Sequence, residues 1–547
     1  MNRYLRRLLT VTGFPGKEER PFLPLFREFK EILAMNNRVQ ELMADANDKL
    51  GGDYIFDRQF ILTFSREICD LVEKMVFSLD SLARHRFGEL HAVFLGIRQE
   101  IEALVLQRAG SISTVFIQPY AAIRRDDLDA VGGKSANLAQ LANELNLRVP
   151  RGFAVTASAF QAVLEYNELP EYIAGVLSAQ QAGAYDLAEA SRRIRQRFAA
   201  AGLPKKLRRD LREALASVAG GPGRWALRSS ALGEDGGYSF AGQYTSCLNI
   251  PDSGVEQAYL RVLAGLYNEA ALAYRQAMGF KESEIAMPVL CQEVVDAEVS
   301  GVVHTCDPRA PQREILLIDA LWGLGGMLMA GEARPDHFVV RRQEPREMTG
   351  MEIVRKERAL RPLPLGGTGL ETVAPARQTV PCLTREQSAT IAGIGLAIEQ
   401  YWRKPQEIEF ALDRRGEPVI LQARPLAVHP AGAARPAELA GDAAEWPVLL
   451  RGTGEVAQQG IALGPAYLVR REDDLAPFPD GAILVAPSAS PRYAAVLPRA
   501  AGLITAAGSA TGHLATIARE LRVPALVNCG ESVGKLTQGM EITMDTE

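Results

Sequence analysis

The spacing of apolar residues changes near Ile117, and this change constrains the fold more than any other feature of the sequence. From Phe22 to Gln107 apolar residues recur at helical spacing, with Gly51-Gly52 as an interruption. After Ile117, short apolar runs alternate with glycine turns and helical stretches as far as Pro425, which is typical of α/β structure. The sequence therefore predicts a helical unit over residues 1–112, followed by α/β (α+β) structure.

A second boundary lies near the end of the chain. Residues 427–447 are rich in Ala, Pro and Gly and lack apolar periodicity, so we expect a flexible tether there. A last compact α/β piece is predicted over residues 448–547. Since 547 residues exceed what one ordinary core accommodates, several domains are expected.

Composition excludes several classes of protein. The net charge is −5 and no basic run occurs, so nothing favours nucleic-acid binding. No run of 18 apolar residues predicts a membrane span, and the basic start of the chain lacks a secretory signal. Six scattered cysteines without a CxxC pair indicate reduced thiols and a cytoplasmic protein.

A glycine turn enters a predicted helix at Gly132-Gly133-Lys134. Glycines allow a backbone to approach a phosphate, a helix start offers free N–H groups, and Lys134 adds a cation. A tight turn with a solvated lysine would give the same pattern.

A second candidate cluster begins where an apolar strand ends at Arg228 and a Gly/Ser loop follows. Arginine suits a bidentate grip on phosphate, and Gly242 would allow this loop to close over one. Ser246 could add a hydroxyl donor. The alternative is a surface hairpin whose arginine forms an ion pair.

The apolar run from Met287 to Val295 contains Gln292 and Glu293. A strand edge of this kind can offer backbone groups to an adenine and a carboxylate to a ribose. A plain buried strand with a polar end is the other interpretation.

A hairpin is predicted from Glu407 to Pro425, with its turn at Arg414-Arg415-Gly416. Alternation places Glu409, Gln422 and Arg424 on one face. The carboxylate and amide oxygens suit Mg²⁺, and Arg424 suits a terminal phosphate. Cross-strand charge pairing on an exposed face is the alternative.

Nine ordered segments resemble the nucleotide-binding domain of the phosphoenolpyruvate synthase and pyruvate phosphate dikinase family: VGGKSANL, VPRGFAVTASAF, RSSALGED, SFAGQ, CQEVV, SGVVHTCDP, WGLGG, PDHFVV and QEIEFALD with ILQARP. The resemblance extends from about residue 120 to 426, and we expect the domain to cover residues 113–426. The resemblance implies an ATP-grasp fold that binds ATP and Mg²⁺. It also implies a set of residues around the nucleotide: Lys134, Arg228, Gly242, Ser246, Gln292, Glu293, Val295 and Arg424, with Glu409 and Gln422 on the metal. One departure is Gly326, where the family usually has glutamate.

The last piece contains a strand, a glycine loop and a helix with His513 near its start. Neutral imidazole is a nucleophile near pH 7, and a helix N-terminus disfavours imidazolium. A lone histidine is more often structural. The segment GSATGHLATIAREL with VPALV, however, resembles the swivelling phosphohistidine domain of the same family. That resemblance implies that His513 carries a phosphoryl group, with Arg228 and Arg424 assisting the transfer.

Family members that make phosphoenolpyruvate also carry a barrel that binds pyruvate, and no such segment follows residue 547 here. The ending EITMDTE is expected to stop before the last strand of the swivelling domain. The acceptor, pyruvate by family default, would then be bound by a missing part or by a separate subunit. Transfer to an antibiotic, an aromatic alcohol or a glucan stays open, as do a non-catalytic nucleotide-binding regulator and a homo-oligomer.

Overall fold

A computed structural model describes residues 22–50, 58–83, 86–107, 115–219, 223–231, 244–277, 282, 285–308, 310–426, 448–470, 472–475, 477–490, 493–494, 496–510 and 512–546. The predicted tether at 427–447 lies outside the described residues, and so does Gly242. The structure divides into two compact units.

The first unit consists of helices, in agreement with the periodicity of its sequence. These are α1 (Phe22–Leu50), α2 (Arg58–Leu82) and α3 (Gly88–Gln107). Val39, Leu42, Cys69 and Phe94 are buried among them. Arg98 of α3 donates to Glu73 of α2 with a nitrogen–oxygen distance of 2.6 Å.

The second unit, which extends from residue 111, contains every described strand. Its first sheet is antiparallel, with strand order β1-β2-β5-β3-β4. The strands are β1 (Ile117–Pro119), β2 (Gly152–Val155), β3 (Arg224–Ser229), β4 (Ser246–Pro251) and β5 (Val289–Glu293). The helices of this region are α4 (Leu128–Asn143), α5 (Ala157–Tyr166), α6 (Leu169–Gln181), α7 (Leu187–Ala199), α8 (Lys205–Ala219), α9 (Val255–Gly265) and α10 (Glu269–Ala277).

The second sheet has six antiparallel strands in the order β13-β12-β6-β7-β8-β9. They are β6 (Ala297–His304), β7 (Ile315–Trp322), β8 (Asp336–Arg341), β9 (Met348–Glu352), β12 (Gln406–Asp413) and β13 (Pro418–Pro425). A separate hairpin consists of β10 (Arg358–Pro362) and β11 (Thr368–Thr372), and a short helix α11 (Gly326–Met329) follows β7.

Helix α12 (Arg385–Trp402) covers one face of the second sheet. Its first residue follows a capping box, because Thr384 Oγ1 accepts from the Gln387 N–H and Gln387 Oε1 accepts from the Thr384 N–H. Ile391 and Ile398 of this helix pack against Ile408 and Phe410 of β12 in one apolar core. That core fixes one side of the sheet and leaves the opposite face for polar side chains.

The third sheet is mostly parallel, with strand order β14-β18-β17-β16-β15-β19. Its strands are β14 (Glu455–Gln458), β15 (Ile461–Leu468), β16 (Ile483–Ser488), β17 (Gly502–Ala507), β18 (Ala525–Val527) and β19 (Glu541–Asp545). Helix α13 (His513–Glu520) follows β17. The parallel pairs β15–β16, β16–β17 and β17–β18 form its centre.

One expectation requires correction. The strand that contains Gln292 is no edge: β5 is the central strand of its sheet and pairs with β2 and β3. Its apolar residues Val289 to Cys291 are fully buried, which explains a central position. The residues EITMD form β19, which pairs antiparallel with Ile461–Pro465 of β15.

The predicted α/β class is confirmed. Within the described part of the chain, no helix combines the length and the apolar character needed to cross a bilayer.

Candidate functional site

A cavity of about 1050 Å³ collects polar side chains from the first and second sheets. The residues in its wall that the sequence analysis singled out are Lys134, Arg228, Ser246, Gln292, Glu293, Val295, Glu409, Gln422 and Arg424. Of the predicted binding residues, only Gly242 cannot be placed, because it lies outside the described residues.

Lys134 reaches the cavity because the backbone bends just before it. Helix α4 contains a kink at Gly132, whose φ of 74° is left-handed and favours glycine. A Cβ at this position would overlap the carbonyl oxygen of Ser230. Beyond the kink, Lys134 Nζ donates to the carbonyl oxygen of Ser229 at 3.0 Å, at the end of β3. The kink therefore brings the ammonium group beside the end of the strand that carries Arg228.

Arg228 connects the two sheets across the cavity. Its Nη2 lies 2.7 Å from Glu409 Oε2, and the two side chains are 17% and 9% exposed. An arginine and a carboxylate that are both mostly buried stabilise each other, because either one alone would lose its hydration without compensation. The predicted alternative of a surface hairpin with an arginine ion pair does not describe this buried contact.

The β12–β13 hairpin presents its polar residues in register. Glu409 lies opposite Gln422 and Glu407 lies opposite Arg424. Arg424 donates to Glu407 Oε1 from Nε at 3.1 Å and from Nη2 at 2.7 Å. A β-bulge follows Glu409, where the register shifts. The carboxylates of Glu407 and Glu409 are both buried. A buried carboxylate needs a cation or hydrogen-bond donors as partners.

Three buried oxygen atoms in the cavity wall have no hydrogen-bond partner among the described residues: Gln292 Oε1, Gln422 Oε1 and Ser300 Oγ. Leaving such a group unsatisfied costs about 1–3 kcal/mol. The amide oxygen of Gln422 and the carboxylate of Glu409 together form a set of hard oxygen donors that fits a magnesium ion. No larger cluster of acidic, histidine or cysteine ligands occurs in the described ranges.

Glu293, which also lines the cavity, is bound by Arg151. The guanidinium donates from Nε and Nη2 to the two carboxylate oxygens, each at 2.8 Å. The N–H of Val294 donates to the Arg224 carbonyl oxygen at 2.8 Å. Since β5 is paired on both sides, the backbone that could meet a base lies past the strand, at Val295.

His304 lies on the same face of the second sheet and was not singled out from the sequence. It is 1% exposed, and its Nε2 is 3.7 Å from Glu407 Oε2. Burial lowers the pKa of His304 to about 4, and the smaller opposing effect comes from the Glu407 carboxylate. The ring is therefore neutral at pH 7. Ser300, Val302 and His304 alternate along β6, and this spacing was the sequence signal that could have assigned His304 to the polar face of the sheet.

The third sheet contributes to the same region. Ser490, which follows β16, lines the cavity together with the residues of the first two sheets. Helix α13 begins at His513, with Gly512 as its N-cap residue. The predicted position of His513 at a helix start agrees with this backbone.

Other lining residues were missed. Arg192, Arg195 and Gln196 of α7 and Asn268 before α10 also contact the cavity. The three residues of α7 lie on an amphipathic helix whose charged face looks like ordinary solvated surface, so no sequence signal marked them. Gly326 lines the cavity as well, and a Cβ there would lie 2.8 Å from Leu360 Cδ2.

Comparisons with known proteins agree with this organisation. Residues 128–442 match the family described as pyruvate phosphate dikinase, AMP/ATP-binding domain. Residues 478–547 match the family described as PEP-utilising enzyme, mobile domain.

Individual relatives are phosphoenolpyruvate synthases. The chain is 33% identical over 451 residues to that of Deinococcus radiodurans, which covers 78% of this chain and 56% of the relative. It is 29% identical over 477 residues to that of Pyrococcus furiosus (79% and 58%) and 29% identical over 450 residues to that of Escherichia coli (78% and 56%). The chain thus spans little more than half the length of these relatives.

The buried His304 predicts a specific dependence of stability on pH. The unfolded chain binds a proton near pH 6.5, whereas the folded chain binds it only near pH 4. The contribution of the neutral His304 ring to the stability of the folded chain is therefore complete above pH 6.5, and it is lost as the pH falls toward 4. Between pH 7 and pH 5, His304 should account for a loss of about 2 kcal/mol in the free energy of unfolding.

Urea unfolding of the wild-type chain and of His304→Gln at the two pH values measures this loss. The variant should lose about 2 kcal/mol less than the wild type. His91→Gln, at an exposed position of α3, serves as the control and should match the wild type. Equal losses in His304→Gln and the wild type would contradict the assignment of a neutral, buried imidazole.

Proposed function

The chain belongs to the pyruvate phosphate dikinase and phosphoenolpyruvate synthase family, and on this premise we propose that it is an ATP-dependent phosphotransferase whose His513 carries the phosphoryl group. The observation that supports the proposal most is the composition of the cavity wall. Lys134, Arg228 and Arg424 line it together with the oxygen donors of Glu409 and Gln422. Such a wall suits a polyphosphate and a divalent cation.

The three cations hold the phosphates of ATP in this proposal. Each is already positioned by an acceptor: Lys134 by the Ser229 carbonyl, Arg228 by Glu409 and Arg424 by Glu407. Donors that are fixed before the substrate binds need little reorganisation during the reaction. They therefore stabilise the charge that develops on the phosphate oxygens in the transition state. Gln292, Glu293 and Val295 contact the nucleoside in this proposal.

Glu409 and Gln422 hold Mg²⁺ in the proposed site. The ion supplies charge neutralisation at the phosphate oxygens. Ser246, exposed at the start of β4, adds a hydroxyl donor on the phosphate side.

His513 acts as the nucleophile. A nitrogen of the neutral imidazole bonds to the β phosphorus of ATP, the bond from that phosphorus to the oxygen shared with the α-phosphate breaks, and AMP leaves. Water then removes the γ-phosphoryl group as orthophosphate, which leaves one phosphoryl group on His513. The start of α13 favours this chemistry, because a helix N-terminus disfavours imidazolium and stabilises an attached anion.

The acceptor of the phosphoryl group is pyruvate in this proposal, since the relatives are phosphoenolpyruvate synthases. It would be bound by a part of the enzyme other than the described residues, and the reaction would take place in the cytoplasm. Transfer to a different small molecule would use the same first half-reaction. A second candidate function, a nucleotide-binding regulator without phosphotransfer, is favoured only by Gly326, which offers no side chain to the cavity.

Labelling with ATP that carries radioactive phosphorus at the β or the γ position tests the proposal. We expect acid-labile label from the β position only, because AMP and the γ group leave. His513→Ala should abolish it, while His91→Ala, in the helical unit, should label like the wild type. Label from the γ position alone would make the protein an ordinary histidine-phosphorylating kinase. No label from either the β or the γ position would leave the nucleotide-binding regulator as the remaining candidate function.

The metal assignment predicts the effect of Glu409→Gln. The substitution keeps the size of the side chain but removes the charge that faces the metal, so the Mg²⁺ concentration for half-maximal labelling should rise at least about tenfold, because even indirect partners of metal ligands are worth 10–100-fold in affinity. Glu417→Gln, at an exposed position just before β13, is the control and should leave this concentration unchanged. If Glu409→Gln showed the magnesium dependence of the wild type, Glu409 would not be a ligand of the metal.

A further inference from the structure

One hydrogen bond joins the glycine loop before α13 to the second sheet. Ser509 Oγ donates to Asp319 Oδ2 at 2.9 Å, although the two residues are 190 positions apart in the chain. Ser509 is 8% exposed and Asp319 is 3% exposed. A hydroxyl bonded to a buried carboxylate is a charge-assisted contact, which is roughly twice as strong as a bond between neutral groups.

Asp319 is itself held in place by a histidine on the next strand. It lies opposite His337 in the β7–β8 register, and His337 Nδ1 is 2.7 Å from Asp319 Oδ1. An ionised carboxylate only accepts hydrogen bonds, so Nδ1 carries the proton. The two oxygens of Asp319 are thus bound by partners from two different sheets of the unit.

The backbone of Ser509 connects this contact to the start of α13. Its carbonyl oxygen accepts from the N–H of Gly512 at 3.0 Å, and Gly512 is the N-cap residue that precedes His513. Arg519, buried on the same helix, donates to the carbonyl oxygen of Ala510 at 2.7 Å. The loop is therefore tied to its own helix, and a shift of Ser509 moves the helix start with it.

A second contact between the same parts of the structure lies beside the cavity. Gly331, just after α11, has a left-handed φ of 66°, and a Cβ there would come within 2.5 Å of the Ala489 carbonyl oxygen. Ala489 precedes Ser490, which lines the cavity. Close backbone packing and a buried hydrogen bond thus occur at two separate places on this interface.

We infer that Ser509, Asp319 and His337 form a docking latch that sets the start of α13 against the nucleotide cavity, and that Ser509 and Asp319 are positioning residues for the phosphorylation of His513. This inference rests on the proposed function, but docking can also be measured without any transfer. The latch acts on the docked arrangement, because the Ser509–Asp319 bond exists only when the third sheet lies on the second. The binding of ATP to the cavity does not depend on it.

The test compares Ser509→Ala, Asp319→Asn and the double variant in the full chain. Each single change should lower the rate of His513 labelling at saturating ATP by roughly ten- to a hundredfold, the equilibrium factor of a hydrogen bond to a charged group. The ATP concentration at half-maximal rate should stay unchanged. Because both changes remove the same contact, the double variant should be no slower than the slower single variant.

Two matched variants separate positioning from a general loss of structure. His337→Ala removes the donor to Asp319 and should slow labelling, whereas His337→Asn keeps an N–H donor near the same place and should restore most of the rate. Thr505→Val removes a buried hydroxyl of the neighbouring strand β17 that has no hydrogen-bond partner among the described residues, and it should label like the wild type.

Amide hydrogen exchange of Ala510 and Gly512, whose N–H groups are hydrogen-bonded in the structure, provides the readout that is independent of transfer. Loss of the latch should accelerate exchange there about tenfold or more. If the wild type does not label at all, the proposed function fails, and exchange alone decides on the latch. Unchanged exchange in Ser509→Ala and Asp319→Asn would overturn the latch, and so would a double variant whose labelling loss equals the product of the single losses.

Discussion

The site depends on the pairing of charges that are buried on one face of the second sheet. Folding removes these groups from water, and each therefore needs a partner of opposite charge or a hydrogen-bond donor. The pairs run across neighbouring strands and reach the other two sheets: Arg424–Glu407, Arg228–Glu409, and His337–Asp319–Ser509. The opposite face is apolar and packs on α12. Because the apolar face is covered by α12, the cavity lies on the charged face of the second sheet.

The same pairs explain how a folded chain can keep three cations ready for an anionic substrate. An unpaired arginine at 12–17% exposure would be costly, yet Arg228 and Arg424 are held by carboxylates in the fold itself. A polyphosphate can share these cations in the proposed site, since each guanidinium group has five N–H donors. Stability and the proposed recognition of the substrate thus draw on the same residues, and substitutions there should affect both.

Much of this arrangement could be predicted from the sequence, and the reasons are local. Alternation in QEIEFALD and ILQARP predicted a hairpin with Glu409, Gln422 and Arg424 on one face, and the glycine turn before Lys134 predicted its backbone bend. The family resemblance is confirmed by the matches over residues 128–442 and 478–547. The α/β class followed from the change of periodicity near Ile117.

The remaining features depend on contacts between distant segments, which spacing does not encode. The central place of β5 results from pairing with β2 and β3, which lie far from it in the chain. Ser509 and Asp319 meet across 190 positions, and His304 becomes a buried neutral group because the fold removes its ring from water, against the smaller opposing effect of the Glu407 carboxylate from β12. The assignment of the metal ligands and of His513 as phosphate carrier stays a prediction.

The most direct measurement locates the phosphate on the chain. After brief exposure to ATP and Mg²⁺, the protein is digested with trypsin at neutral pH and analysed by mass spectrometry. Cleavage after Arg499 and Arg519 releases one peptide, in which His513 is the only histidine. We predict one phosphoryl group on this peptide that is lost in acid. An acid-stable phosphate on a serine or threonine, or an unmodified peptide despite bound ATP, would contradict the proposed mechanism.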